Sequence, residues 1–341
     1  MPVITRRRFS ALALAAAIAL MSAGNATAAG DKSYLMATAS TGGTYYPVGV
    51  AIATLTKVKI QPKHKVSLSA INSAGSGENV KLLRDNEVQF AILQGLYGSY
   101  AWQGTGPIAK DGPQKHLRSV TMLWQNVEQF VVKAEYAKTG TIDDMQGLKG
   151  HKMALGKKNS GTIGSNRKLM SNMGVDIDKD YDLVYGGYGP SASALQNGQV
   201  DGISTPAGTP TGAITKLFAS MGDKVKMLEF TDAQAKKADG GLALWTRFII
   251  PAKTYPGQTK DIRTIAQPNF LAVRDDVDDE FVYLLTKAVY ENLPFLQGIH
   301  KATKAMALEK ALAGLPVPLH PGAARYYKEA GINIPDALVA K

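Results

Sequence analysis

Two stretches rich in glycine and hydroxyl side chains hold the clearest chemistry in this sequence. The first reads Ser40-Thr41-Gly42-Gly43-Thr44-Tyr45-Tyr46-Pro47, and the second reads Asn159-Ser160-Gly161-Thr162. Each follows a short apolar run and precedes a helical pattern, so its backbone N–H groups should lie at the positive end of a helix dipole. That arrangement binds carboxylate oxygens without a buried fixed charge, and it predicts a site for a small anion.

Loops from two halves of the chain are predicted to line one cleft, because ligands of open α/β sheets lie beyond the carboxyl ends of the strands. The predicted ligand-binding residues are Thr41, Gly42, Gly43, Thr44, Tyr45, Ser73, Ser76, Gly77, Gln94, Asn159, Ser160, Gly161, Thr162, Thr205, Ala207 and Thr209. Helix capping or a tight turn would explain any one of them alone. Their recurrence in both halves favours a ligand site. Tyr188 could also close over the ligand, with ordinary packing as the alternative.

The residue types that catalysis or metal binding needs form no recognisable pattern. The five histidines include no pair at i, i+4 spacing, and the chain has no cysteine. No Gly-x-Ser-x-Gly elbow occurs. The second glycine-rich stretch resembles a phosphate-binding loop but lacks the lysine that should follow its last glycine. We therefore predict a binding protein rather than an enzyme, with no catalytic residue, no metal and no cofactor.

An internal repeat indicates how the chain is organised. Leu83-Arg84-Asp85-Asn86-Glu87-Val88-Gln89-Phe90 reads as a helix end, a polar turn and a buried strand, and Leu195-Gln196-Asn197-Gly198-Gln199-Val200-Asp201-Gly202 repeats that pattern. The repeat predicts an α/β fold of two lobes, each a mostly parallel sheet flanked by helices, with the cleft between them. We assign residues 31–130 and 271–341 to lobe I and residues 131–270 to lobe II. The acidic run at residues 275–280 should complement the start of the helix that follows it.

The first 28 residues read as an export signal. Arg6-Arg7-Arg8 precedes a short apolar stretch, and Ala26-Thr27-Ala28 supplies a small-x-small cleavage site. The arginines also fit a twin-arginine signal. Because no cysteine is available for a lipid anchor, we expect a periplasmic protein. The net charge of +11 comes from scattered lysines and arginines, which argues against a nucleic-acid partner, and we expect a monomer.

Four motifs, in order, resemble the TAXI family, the solute-binding subunits of one branch of the tripartite ATP-independent periplasmic (TRAP) transporters. They are Thr41-Gly42-Gly43-Thr44-Tyr45-Tyr46-Pro47-Val48-Gly49, Gly77-Glu78-Asn79-Val80-Lys81-Leu82-Leu83, Ile250-Pro251-Ala252-Lys253-Thr254-Tyr255-Pro256-Gly257-Gln258 and Gly314-Leu315-Pro316-Val317-Pro318-Leu319-His320-Pro321-Gly322-Ala323-Ala324-Arg325-Tyr326-Tyr327. The resemblance implies a two-lobed periplasmic binding fold (type II-like) that closes on a small organic acid. Family ligands include glutamate and 2-oxoglutarate, and delivery is to a membrane permease.

The sequence departs from the family pattern at Lys157-Lys158-Asn159, which stands where smaller residues commonly precede Ser-Gly-Thr. If these lysines face the cleft, they favour a more anionic ligand, and if they face water they do not affect it. Three alternatives stay open at this point. The protein could feed an ATP-driven (ABC) importer, serve a sensor kinase, or act as a periplasmic hydrolase that uses one of its serines.

Overall fold

The computed structural model describes residues 32–340. The predicted export signal at residues 1–28 lies outside the described residues and stays a prediction. Eleven strands are present among the residues described. They are β1 (Lys32–Ala37), β2 (Val66–Ile71), β3 (Phe90–Gln94), β4 (Leu117–Val127), β5 (Phe130–Lys133), β6 (Lys152–Ala154), β7 (Asp182–Leu183), β8 (Gly202–Ser204), β9 (Val225–Met227), β10 (Thr246–Ile250) and β11 (Ile262–Arg274).

The strands form two sheets. The first has the order β10-β11-β3-β1-β2, with β4 paired to the other edge of β11, and the second, in lobe II, has the order β7-β6-β8-β5-β9. Since β10 and the first part of β11 lie within residues 131–270, the first sheet extends from lobe I into lobe II. The two-lobed α/β fold that the sequence predicts is confirmed. The sheets are mixed rather than mostly parallel: β1 and β3 are parallel, as are β6, β7 and β8, whereas β4, β5, β9, β10 and β11 pair antiparallel. The prediction of mostly parallel sheets was wrong because sequence patterns identify strands but not whether neighbouring strands run parallel or antiparallel.

Helices cover both sheets. They are α1 (Tyr45–Leu55), α2 (Gln61–His64), α3 (Ser76–Arg84), α4 (Gly95–Gln103), α5 (Gly161–Met173), α6 (Ile177–Asp180), α7 (Tyr188–Gln196), α8 (Gly212–Met221), α9 (Asp232–Asp239), α10 (Asp279–Glu291), α11 (Leu293–Ile299) and α12 (Pro321–Glu329). A π-helical turn, Thr56–Ile60, joins α1 to α2. None of the helices described is long and apolar enough to cross a membrane.

Each sheet is buried on both faces. In lobe I, one apolar cluster joins α1, α10 and α12 to the sheet, and a second joins α3 and α4 to its opposite face. In lobe II, α5 and α9 pack on one face while α7 and α8 pack on the other. Burial on both faces explains why the inner strands β3 and β5 read as short, continuous apolar runs.

The internal repeat corresponds to one turn used in both lobes. In lobe I the chain runs from the end of α3 through Asn86 to β3, and in lobe II it runs from the end of α7 through Gly198 to β8. Asn86 (φ 56°) and Gly198 (φ 70°) occupy the same place in the repeat, and both adopt the left-handed conformation. Asparagine and glycine are the residues that tolerate this conformation most readily. The repeat is therefore a structural one.

Two stretches of chain connect the lobes. Glu128 and Gln129 lie between the end of β4 in lobe I and the start of β5 in lobe II. The long strand β11 pairs with β10 through its first part and with β3 through its last part. The predicted role of the acidic run is also confirmed, because Asp278 caps α10 by accepting a hydrogen bond from the Phe281 N–H at 3.0 Å.

Candidate functional site

A small cavity of about 40 Å³ lies between the lobes at the carboxyl ends of the strands. Its wall consists of Ala39, Ser40, Gly43, Thr44, Tyr45, Ala74, Gly75, Ser76, Gln94, Asn126, Lys157, Ser160, Gly161, Thr162, Gly186, Gly187, Tyr188, Pro206 and Ala207.

Four helices begin at this cavity, two from each lobe. Their first residues are Tyr45 of α1, Ser76 of α3, Gly161 of α5 and Tyr188 of α7, and all four residues line the wall. The helix-cap positions of α1, α3 and α7 provide no side-chain hydrogen bond to the first turn. Backbone N–H groups at the start of a helix have no partner within the helix, so these helices offer donors and positive dipole ends to an anion in the cavity.

Hydrogen bonds join the two lobes around the cavity. The Gln94 amide donates from Nε2 to the Gly161 carbonyl oxygen at 3.0 Å. The Thr44 hydroxyl donates to the Gly208 carbonyl oxygen, also at 3.0 Å. The Tyr188 N–H donates to the Ser40 hydroxyl at 3.4 Å. Since each bond has one partner in each lobe, the structure represents the closed arrangement of the two lobes.

Tyr188 organises the lobe II side of the wall. Its hydroxyl donates to the Pro206 carbonyl oxygen at 2.6 Å and lies 2.9 Å from the Thr162 hydroxyl. Because its single proton is used on Pro206, Tyr188 accepts the proton of Thr162. Burial raises the pKa of Tyr188, and burial likewise raises the pKa of Tyr45, whose hydroxyl donates to Asn269. Both phenols are therefore neutral at physiological pH.

The two neighbouring lysines of the second glycine-rich loop differ in position. Lys157 lines the cavity and has no ion-pair partner among the residues described. The Lys158 ammonium instead lies over the Tyr185 ring, 5.0 Å from its centroid. Both side chains are exposed, and of the two residues only Lys157 is part of the cavity wall.

Nine of the sixteen predicted residues line the cavity: Gly43, Thr44, Tyr45, Ser76, Gln94, Ser160, Gly161, Thr162 and Ala207. The hydroxyls of this set are mostly engaged with the protein. Ser160 caps α5 by accepting from the Ile163 N–H at 3.1 Å and donates to the Lys157 carbonyl oxygen.

The other seven predicted residues lie outside the cavity wall. Ser73 is bound into the lobe I core, where its hydroxyl contacts Asn79 at 2.6 Å and the Thr38 carbonyl oxygen at 3.0 Å. Thr41 is exposed, Thr209 is half-buried, and Thr205 is fully buried behind the wall.

Gly42, Gly77 and Asn159, the remaining three, lie where the lobes touch. A Cβ on Gly77 would stand 2.4 Å from the Asn159 carbonyl oxygen, and one on Gly42 would stand 3.0 Å from the Gly189 nitrogen. These two glycines let the lobes approach each other.

Part of the cavity wall consists of residues that are not in the predicted set. Asn126 comes from the end of the long strand β4, and Gly186 and Gly187 come from the loop before α7. The glycine-tyrosine-glycine-proline run at residues 187–190 was the available signal, because it marks a loop that opens a helix. Asn126 gave no signal, since it lies within an apolar strand pattern.

The cavity wall contains no histidine, aspartate or glutamate in the part of the chain that the structure describes. Among residues 32–340, no cluster of histidine, cysteine, aspartate or glutamate could hold a metal ion. The polar side chains of the wall are hydroxyls, amides and Lys157, which can donate hydrogen bonds and present positive charge.

Comparison with known proteins identifies relatives of this fold. The model of the NMT1-like family matches residues 36–331. The solved structure of the periplasmic binding protein BugD is 13% identical with a TM-score of 0.51, over 89% of this chain and 99% of that one. A structure described as a periplasmic transporter is 14% identical, with a TM-score of 0.50 over 88% and 93% of the two chains.

A protein from Bordetella bronchiseptica RB50 is also 14% identical, with a TM-score of 0.50 over 91% of this chain and 85% of that one. At such identities the likeness concerns the fold alone. It agrees with the two-lobed α/β fold described above.

Proposed function

The chain belongs to the NMT1-like family, and from this premise we propose that it is a periplasmic solute-binding receptor. It captures a small organic acid, such as a dicarboxylate, a keto acid or an amino acid, and delivers it to a membrane permease. The observation that carries the proposal is the convergence of four helix starts, two from each lobe, on one cavity.

The chemistry of the wall supports an acid as the ligand. Uncapped helix starts supply N–H donors, and Lys157 supplies the one positively charged side chain of the described wall. Donors and helix dipoles that face the same small volume favour a carboxylate over a neutral solute. The same wall, as described, has no histidine or carboxylate beside its serines, and this supports a receptor rather than a hydrolase.

Ligand capture by hinge closure follows from the contacts between the lobes. The bonds from Gln94 to Gly161 and from Thr44 to Gly208 form only when the lobes meet. A ligand that contacts both lobes binds the closed state more tightly than the open state, and it shifts the population accordingly. We propose residues 31–130 with 271–341, and residues 131–270, as the two moving bodies.

We further propose that the protein is a TAXI-type subunit of a TRAP transporter and works as a monomer in the periplasm. The order of four motifs supports this subfamily, and the first two motifs contain the starts of α1 and α3 beside the cavity. The corresponding partner is an ion-driven permease. Co-purification of tagged protein with the membrane subunits encoded beside it would test this, and recovery of an ATPase instead would support an ABC importer.

A thermal-shift screen tests the receptor proposal. The protein is stripped of bound ligand by unfolding and refolding, and then heated with dicarboxylates, keto acids, amino acids, sugars and aromatic acids. A ligand at one hundred times its Kd should add about 2.7 kcal/mol of stability, a rise of several degrees. A shift with an acid supports the proposal. A shift with only neutral solutes, or with none, would contradict it.

A further inference from the structure

We propose that this cavity selects acids that carry no ammonium group, so that keto, hydroxy or unsubstituted acids bind and the matching amino acids are rejected. The inference rests on the proposed function and narrows its ligand class. The first observation behind it is that the wall, as described, has positive but no negative side chains. The described wall contains one cation, Lys157, two neutral tyrosines and no carboxylate.

Two carboxylates on adjoining segments each accept a hydrogen bond within the protein, although the Glu128 Oε2 atom is buried with no hydrogen-bond partner among the described residues. Glu78, in the first turn of α3, accepts a hydrogen bond from the Ala74 N–H. Glu128 lies behind the wall, is 1% exposed, and accepts from the Trp245 indole N–H at 2.9 Å. Burial raises the pKa of Glu128 to about 7, so a large share of its population is uncharged at neutral pH. Neither residue is among those that line the cavity.

Three neutral acceptors of the wall, which an ammonium group could otherwise use, already have donors. The carbonyl oxygen of Gly161 accepts from Gln94, and that of Pro206 accepts from the Tyr188 hydroxyl. The Gln94 Oε1 atom accepts from the Asn126 amide at 3.5 Å. An ammonium ligand would have to share these acceptors with donors that the protein already supplies.

The electrostatic field in the cavity also disfavours an ammonium group. Four helix starts and Lys157 line the cavity, and the positive charge that each contributes repels an ammonium group. An ammonium group that leaves water for such a site loses its hydration without gaining a counter-charge. A keto or hydroxy oxygen at the same carbon can instead accept hydrogen bonds from the backbone N–H groups.

Calorimetric titration of the stripped protein with matched ligand series tests this selectivity. One series is succinate, malate and aspartate; a second is glutarate, 2-oxoglutarate, 2-hydroxyglutarate and glutamate. The third is pyruvate, lactate and alanine, and the fourth is phenylpyruvate and phenylalanine. We expect that in at least one series a member without nitrogen binds, and that its amino counterpart binds at least about 100-fold more weakly.

The outcomes separate the two proposals. An amino acid that binds as tightly as its keto or hydroxy counterpart would overturn the selectivity and leave the acid receptor intact. Failure of every acid, together with binding of a neutral solute, would overturn the proposed function and the selectivity with it.

A charge placed in the wall provides the second test. Asn126→Asp adds a carboxylate at nearly constant shape. It should reduce the ratio between the Kd of an amino acid and the Kd of its keto or hydroxy counterpart, which we call the gap, at least tenfold. Asn197→Asp is the matched control, because it adds the same charge at an exposed helix end in lobe II, and it should leave the gap unchanged. If folded Asn126→Asp protein keeps the full gap, the missing carboxylate does not set the selectivity.

Discussion

The side-chain amide of Gln94 donates to the backbone carbonyl oxygen of Gly161 at 3.0 Å, and this bond joins the last residue of a lobe I strand to the first residue of a lobe II helix. Both residues line the cavity. A single contact thus connects lobe closure to the site where a ligand would bind. Affinity should therefore depend on residues that bridge the lobes as well as on those that face the ligand.

Replacing Gln94 with methionine should weaken ligand binding by about threefold to tenfold, because a net hydrogen bond contributes about 0.5–1.5 kcal/mol. The bond exists only between closed lobes, so its loss acts on the closed state. Titration calorimetry would measure the change. Gln199→Met, at an exposed turn of lobe II, is the control. Equal affinity of the Gln94 variant and the wild type would show that this bond does not contribute to closure.

Gly164→Ala should prevent closure. Gly164 lies in α5 of lobe II, and a Cβ there would stand 2.0 Å from the Tyr97 hydroxyl oxygen of lobe I. We expect affinity to fall by at least about 100-fold, since the ligand would reach only one lobe at a time. Gly189→Ala is the matched control, because its Cβ would meet no atom within 4 Å. Tight binding by folded Gly164→Ala protein would contradict the closed arrangement described above.

Lys157→Gln should lower affinity by up to about fivefold, as expected for an exposed charge, and should reduce the salt dependence of binding. Lys158→Gln removes the same charge one residue away, where the ammonium faces Tyr185, and should change affinity by less than about twofold. Titrations at low and high salt would compare the two variants. The opposite ranking would mean that Lys158, not Lys157, faces the ligand.

Glu128 should make stability depend on pH. Burial raises its folded-state pKa to about 7, above the usual value of 4.5 for a glutamate side chain. Between these values the folded protein holds a proton that the unfolded chain has released. The contribution is therefore fully present below pH 4.5 and is lost as pH rises towards 7, with a slope of up to about 1.4 kcal/mol per pH unit.

Urea unfolding at pH 5, 6, 7 and 8 would measure that slope. Glu128→Gln cannot ionise and keeps an acceptor for the Trp245 indole N–H, so its unfolding free energy should vary less over this range. Glu87→Gln, on an exposed turn of lobe I, serves as the control. A variant curve parallel to that of the wild type would show that another group carries the pH dependence.

The local parts of the fold were predictable from the sequence. The turns before β3 and β8 lie where the internal repeat places them, and α1 and α5 begin inside the glycine-rich stretches. Turn chemistry explains this success, because glycine, proline and hydroxyl residues act on their immediate neighbours. The repeated turn at Asn86 and Gly198 is the clearest example.

Long-range features were not predictable from the same patterns. The hydroxyl of Thr44 was expected to face the ligand, yet it donates to Gly208 across the cleft. Ser73 was expected in the wall, yet it serves the lobe I core through Asn79. In both cases the competing partner lies on another element, and only tertiary structure brings it within reach. The contribution of Asn126 was missed for the same reason.

Small-angle X-ray scattering of the stripped protein, with and without the tightest-binding acid, tests lobe closure on a small acid most directly. The wild type should become more compact when the acid binds, and Gly164→Ala should not, while Gly189→Ala should behave as the wild type. If the acid binds with calorimetrically measurable heat and the scattering of the wild type does not change, the lobes do not close on their ligand.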